Sequence, residues 1–162
     1  MKIKRVVSGF VPFFSATEKI LRCGAAALFI TLFFAAAAKA EVFIDQVGRQ
    51  VDIAARPERI VSLMPSLTEM VFELGAGDRL QGVTLFSDEP PAAAKLPKVG
   101  SYVHPDLEKI VSLKPDLCLA VRDGNPKHIV DKITALGIPV YTIDPRNLEE
   151  IMEAVQMLGK VL

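Results

Sequence analysis

The 162-residue chain has no tryptophan, two tyrosines, two histidines and two cysteines, and its formal charges sum to zero. Each shortage excludes something. After residue 40 only Cys118 remains, so that part cannot close an internal disulfide. Cys118 lies in Leu117-Cys118-Leu119-Ala120-Val121, a predicted buried strand, where cysteine acts as a small apolar residue rather than a reactive thiol. Protein-built metal sites need three or four clustered donors, and His104 and His128 are too few to supply them. His128 falls on a predicted helix and reads as surface. No phosphate-cradling G-x-x-x-x-G-K-[ST] loop is present, and no nucleophile–base set stands out.

The zero net charge conceals an asymmetry. Residues 1–40 hold six of the 19 basic residues and one of the 19 acidic ones, which leaves 13 against 18 in the remainder, a net of −5. An acidic remainder does not suit a nucleic-acid binder, which presents a basic face. The first 40 residues read as a signal peptide. Lys2, Lys4, Arg5, Lys19 and Arg22 precede the apolar run Ala25–Ala38, and Ala38-Lys39-Ala40 has the small-x-small pattern of a cleavage site. The run is short for a membrane span, which takes about 20 apolar residues; an uncleaved N-terminal anchor is the rival reading. Cys23 precedes the apolar run, the wrong side for lipid attachment. The mature chain is expected to begin at Glu41 and to be periplasmic.

The remainder is organised around residues 59–84. Ile60-Val61-Ser62-Leu63 suits a buried parallel strand. Ser66-Leu67-Thr68-Glu69 has capping-box spacing, which predicts Ser66 as a helix N-cap with Glu69 reaching back to it. Leu67, Met70, Val71 and Leu74 then form one apolar face, and Gly75 and Gly77 are expected to supply a left-handed stop before a strand from Arg79. Upstream, Val42 to Ile53 reads as two short strands around Gly48.

Downstream the strand–helix alternation continues. A Pro-rich loop with one helical turn follows Thr84, and Val99–His104 forms a second loop. Pro105 is expected in the first turn of a helix whose buried face is Leu107, Ile110, Val111 and Leu113. After the Cys118 strand, Asn125 is expected to cap a helix starting at Pro126 and packed through Ile129, Ile133 and Leu136. Ile138–Ile143 is the fourth strand, and Asn147 caps a last helix striped with Ile151, Val155 and Leu158. The predicted fold is α/β: a parallel sheet of about four strands with helices on both faces, preceded by a short β-hairpin. The expected division is a signal peptide over 1–40, hairpin and linker over 41–58, and one lobe over 59–162. The stop at Leu162, at a helix without a terminal cap, predicts a truncated chain.

Several motifs occur in a set order: Arg59-Ile-Val-Ser-Leu-Met-Pro-Ser-Leu-Thr-Glu69, Gly82-Val-Thr84, Ser87-Asp-Glu-Pro-Pro91, Val99-Gly-Ser-Tyr102, Leu107-Glu-Lys-Ile-Val-Ser-Leu-Lys-Pro-Asp-Leu117 and Arg122-Asp-Gly-Asn-Pro126. Together they resemble the N-terminal lobe of periplasmic binding proteins for cobalamin and ferric siderophores, the soluble receptors of ABC importers. The resemblance runs from Val42 to Leu162. It implies a two-lobed protein with its ligand in the cleft between lobes, of which this chain supplies the first.

The resemblance also implies roles for single residues. Phe86 and Tyr102 would offer flat apolar surface to a macrocycle, each adding about 1 kcal/mol beyond burial when stacked. The loop of Arg122, Asp123, Gly124 and Asn125 would line the cleft and leans toward cobalamin. Glu108 would pair with arginines of the membrane permease. His104 is a candidate axial ligand to a haem or cobalt centre. The implied protein is a monomeric carrier, not an enzyme, with no cofactor of its own; its cargo is cobalamin or, alternatively, haem or a ferric siderophore. The rival class is an exported α/β hydrolase, with Ser66 as nucleophile and His104 as its base. An adaptor domain without ligand is a third.

Overall fold

The computed structural model describes residues 40–162. The predicted signal segment, apart from Ala40, and Cys23 lie outside the described residues. Ala40 already belongs to the first strand, β1 (Ala40–Ile44), which pairs antiparallel with β2 (Gln50–Ala54) around the turn at Gly48. Four parallel strands follow: β3 (Ile60–Ser62), β4 (Leu80–Gly82), β5 (Leu117–Val121) and β6 (Val140–Ile143), in the spatial order β4-β3-β5-β6. Their connections carry helices α1 (Pro65–Glu73), α2 (Leu107–Ser112) and α3 (Lys127–Ala135), and α4 (Leu148–Val161) follows β6. Among the described residues no helix is long and apolar enough to cross a membrane.

Strand alternation divides the core in two. Ile60, Leu117, Leu119, Tyr141 and Ile143 face one side, where Leu67 and Val71 of α1 and Ala154, Leu158 and Val161 of α4 cover them. Val61, Cys118, Ala120 and Val140 face the other, against Ile110 of α2 and Val130 and Ile133 of α3. Adjacent residues pointing to opposite faces is the period-two geometry of a strand, and burial on both faces explains the near-continuous apolar runs. Cys118 is fully buried, and its pKa is pushed up to about 12, by burial first and then by the nearby Asp116 charge. The folded protein should therefore resist a thiol-reactive maleimide at pH 8 and react only after denaturation. Rapid labelling of the native state would contradict this packing.

Both flanks of the sheet carry a neighbouring segment. Outside β6, the hairpin turn pairs Gln46 N–H with Thr142 O at 3.1 Å, and the Gln46 side chain accepts from Asp144 N at 2.8 Å. Arg49, held by the buried Asp45 at 2.7 Å, donates to Val140 O at 3.2 Å. Outside β4, Val83 N–H donates to Pro97 O and Val83 O accepts from Val99 N–H.

Several helix starts and faces differ from expectation. Pro65, not Ser66, opens α1; Met64 is the N-cap with extended backbone, no side chain caps it, and Ser66 is exposed. Proline's fixed φ suits the first helical position, and that position pre-empts the capping box. Gly75 does take the left-handed conformation, at φ 73°. Gly77 does not; it opens a 3₁₀ turn, where a Cβ would stand 2.2 Å from the Phe72 ring. Asp106 caps α2 by accepting from Lys109 N–H at 3.1 Å, which leaves Pro105 outside the helix. Val111, Leu136 and Ile151, all expected inside, are exposed, while Val130 and Ala154 take inward places. Asn147 does cap α4, accepting from Glu150 N–H at 2.9 Å.

Candidate functional site

All four strands run parallel, so the loops after β3, β4, β5 and β6 gather along one edge of the sheet. The order β4-β3-β5-β6 reverses direction between β3 and β5, and open α/β sheets bind ligands outside the carboxyl ends of their strands at such a switch. Here the switch point is filled by Asn125, which is 6% exposed. Its Nδ2 donates to Leu63 O at 2.8 Å and to Tyr102 O at 2.9 Å, and its Oδ1 accepts from Val121 N–H at 2.8 Å. The expected helix cap is therefore a clasp across three chain segments; Pro126 occupies the N-cap of α3 instead. With its amide bonded to Leu63 O and Tyr102 O, Asn125 fastens the Tyr102 loop to the segments that leave β3 and β5.

The neighbouring loops are stitched to one another. Leu85 N–H donates to Gly100 O at 2.9 Å, which joins the Phe86 turn to the loop carrying Tyr102, and Asn125 joins that loop to the one after β5. Phe86, 63% exposed, stands at the tip of its turn, and Tyr102 is half-buried. Gly124 approaches Met64 so closely that a Cβ would lie 2.7 Å from the methionine Cε. The polar end of the row is a charge cluster. Arg122 and Arg146 bond Asp144 at 3.0 and 3.2 Å, and Arg146 also lies 3.7 Å from the exposed Asp123. Burial alone would raise the Asp144 carboxyl, but hydrogen bonds from Arg146 and Arg122 outweigh it and hold its pKa below the usual value. A lowered carboxylate pKa keeps this pairing intact at neutral pH and releases it only as pH falls through that lowered value.

A hollow of about 520 Å³, within the usual span for small-molecule sites, opens beside this cluster. Arg122, Asp123 and Asn125 line it together with Arg49, Lys127 and Thr142. Phe86 and Tyr102 do not line it. The expected residues thus fall into two linked groups along one edge, an aromatic stretch and a polar hollow. Glu108 lies apart, exposed in the first turn of α2. His104 is exposed; its backbone N–H donates to Ser101 Oγ at 3.0 Å. Among the described residues no three His, Cys, Asp or Glu side chains are grouped to hold a metal, and Ser66 and His104 share no hydrogen bond.

No spacing in the sequence pointed to a cluster of buried hydroxyls beneath the Phe86 turn. Thr68 Oγ1 donates to Ser62 Oγ at 2.9 Å and lies 3.2 Å from both Ser87 Oγ and Met64 O, and Ser87 Oγ lies 2.8 Å from Thr84 Oγ1. Ser62 and Thr84 are four and eighteen residues removed from Ser66 and Tyr102, and neither belongs to a recognisable spacing.

Comparison with known proteins places these features in context. Residues 60–162 match the family model described as periplasmic binding protein. A vitamin B12-binding protein of Yersinia pestis is 42% identical over 107 residues, which is 66% of this chain and 38% of the relative. The chain thus spans well under half the length of the curated relatives it matches. The crystal structure of the periplasmic vitamin B12 binding protein of Vibrio cholerae aligns with a TM-score of 0.61 at 39% identity, covering 64% of this chain and 40% of that one. A periplasmic heme binding protein from Pseudomonas aeruginosa aligns at 0.60 with 29% identity, covering 64% and 37%.

Proposed function

Because the chain belongs to the periplasmic binding protein family, we propose that it forms one wall of a carrier site for a metal chelate, cobalamin, which it captures in the periplasm and presents to an ABC permease. The observation that carries this reading is the stitched row of loops. An exposed aromatic tip at Phe86, a half-buried phenol at Tyr102 and the hollow beside Arg122 lie along one edge. Flat apolar surface suits the face of a macrocycle, and the arginines and aspartates suit its amide and phosphate substituents. Capture of this kind needs no reacting group, in keeping with a family of binding proteins. Glu108, exposed near the start of α2, serves as the docking carboxylate for permease arginines, and such pairs set register and encounter rate more than affinity.

A haem reading is favoured by one feature: His104 is exposed in the same loop as Tyr102, free to reach an axial position. Calorimetric titration of the purified protein with cyanocobalamin, hemin and a ferric siderophore separates the two. Saturable one-to-one heat with cyanocobalamin is expected. Heat with hemin alone, abolished by His104→Ala, moves the assignment to haem. Silence with all three ligands overturns the carrier reading.

A further inference from the structure

The turn Thr84-Leu85-Phe86-Ser87 is closed by Ser87 N–H donating to Thr84 O at 3.1 Å, and the side chains of its two central residues point away from the core, 49% and 63% exposed. Two apolar side chains this exposed gain little from packing, so beyond the Leu85 N–H bond to Gly100 O the turn depends on what holds it from below. Below them lie four hydroxyls, all 1% exposed or less: Ser62, Thr68, Thr84 and Ser87. They connect the end of β3, the first turn of α1 and both ends of the turn. Ser62 Oγ also donates to Met64 O at 2.9 Å, and Lys98 Nζ holds Ser87 O at 2.8 Å.

This arrangement is not what the surrounding core calls for. Ser62 follows Ile60 on the same strand face, and Thr68 sits on α1 between the buried Leu67 and Val71. Valine or alanine would fill either place without desolvating a hydroxyl, which costs free energy unless every bond is made. Every buried side-chain polar atom described here is partnered. A fully satisfied polar network fixes one arrangement where apolar packing would accept several.

We propose that Ser62, Thr68, Thr84 and Ser87 are positioning residues, whose hydroxyl chain immobilises the Leu85–Phe86 turn so that it presents a preformed apolar face to the flat surface of a ligand. The inference rests on the carrier reading for the nature of that ligand, but the immobilisation stands apart from it. Preformed contact surface avoids the ordering cost that a mobile turn would charge against binding.

Amide order parameters from ¹⁵N relaxation test this on the full chain without any ligand. In the wild type, Leu85 and Phe86 should show values of about 0.85, the level of rigid backbone. Thr68→Val, nearly isosteric, should drop them below about 0.6 while leaving β5 and β6 unchanged, and Thr68→Ser should restore them. If Thr68→Val does not fold, Ser87→Ala cuts the same chain at the turn and should give the same local loss. Order parameters equal to wild type in a folded Thr68→Val or Ser87→Ala protein overturn the proposal. So does a drop spread evenly over the sheet, which marks the hydroxyls as general stabilisers. Cyanocobalamin titration then separates the two readings. With binding in the wild type, Thr68→Val should weaken it several-fold and Thr68→Ser should not. Absence of wild-type binding to cyanocobalamin, hemin and the ferric siderophore alike sinks the carrier reading and leaves the relaxation result to decide this one.

Discussion

Asn125→Ala should lower the unfolding free energy by about 2–4 kcal/mol, one of the largest single-residue effects outside the apolar core. The side chain spends both amide hydrogens and its carbonyl on Leu63 O, Tyr102 O and Val121 N–H. Alanine orphans all three backbone groups in a place only 6% exposed. Each orphaned buried group costs about 1–3 kcal/mol, and water entering the vacated volume recovers part of it. For a domain of this size the melting temperature should fall by roughly 8–15 °C. Asn125→Asp is the informative companion: it keeps the acceptor, loses both donations, and brings a charge to a buried position, so it should be no milder. A thermal scan by circular dichroism checks both variants. A shift within about 2 °C for alanine would mean that the clasp contributes nothing net.

Gly100→Ala should be comparably damaging, for a different reason. Gly100 has φ 92°, and an added Cβ would lie 2.5 Å from His104 O and 2.8 Å from Asp106 N. Both neighbours are backbone atoms, so neither can swing aside. Relief would require opening the loop that Asp106 N–H closes onto Val99 O at 2.8 Å. That movement would also disturb the acceptor for Leu85 N–H and the cap of α2. The expected loss is about 2–4 kcal/mol, combining backbone strain with steric displacement. Gly75→Ala is the control: φ is 73° but nothing lies within 4 Å, so only the backbone term of about 1–2 kcal/mol applies. Urea unfolding midpoints should rank wild type above Gly75→Ala above Gly100→Ala. Equal midpoints for the two alanine variants would refute the steric part of the argument.

How far the sequence could be read depended on the range of the interaction concerned. Strand–helix alternation is local, and runs such as Ile60–Leu63 and Leu117–Val121 announced a parallel sheet that the structure contains. Helix starts were harder where two rules competed. At Pro65-Ser66, proline at the first helical position moved the N-cap from Ser66 back to Met64 and no capping box formed; at Asn147 no proline intervened and the cap formed as read. Apolar periodicity named helix faces but not their width, so Val111, Leu136 and Ile151 fall on the solvent side of stripes that α2, α3 and α4 bury only in part. The candidate site was readable as a set of loops along one sheet edge, while the bonds that join those loops were not. Asn125 bonds to Leu63, 62 positions away, and Thr68 to Ser87, 19 away. No spacing rule reports a bond formed only when the sheet has brought two loops side by side. Why Leu148 and Met152 are exposed on α4 has no account among the described contacts.

The coverings over Thr142 and Val83 bear on how the protein survives crowding. An unpaired strand offers a row of donors and acceptors that any other chain can extend, which is how soluble proteins begin to form fibres. With Gln46 and Arg49 seated against β6 on one flank and residues 97–99 paired to Val83 just past β4 on the other, a second molecule has less free edge to zip onto. Loosening the turn at Asp45–Gly48, for instance by Asp45→Ala, would expose one such flank, and insoluble aggregate rather than a soluble unfolded chain is the form in which that damage should surface.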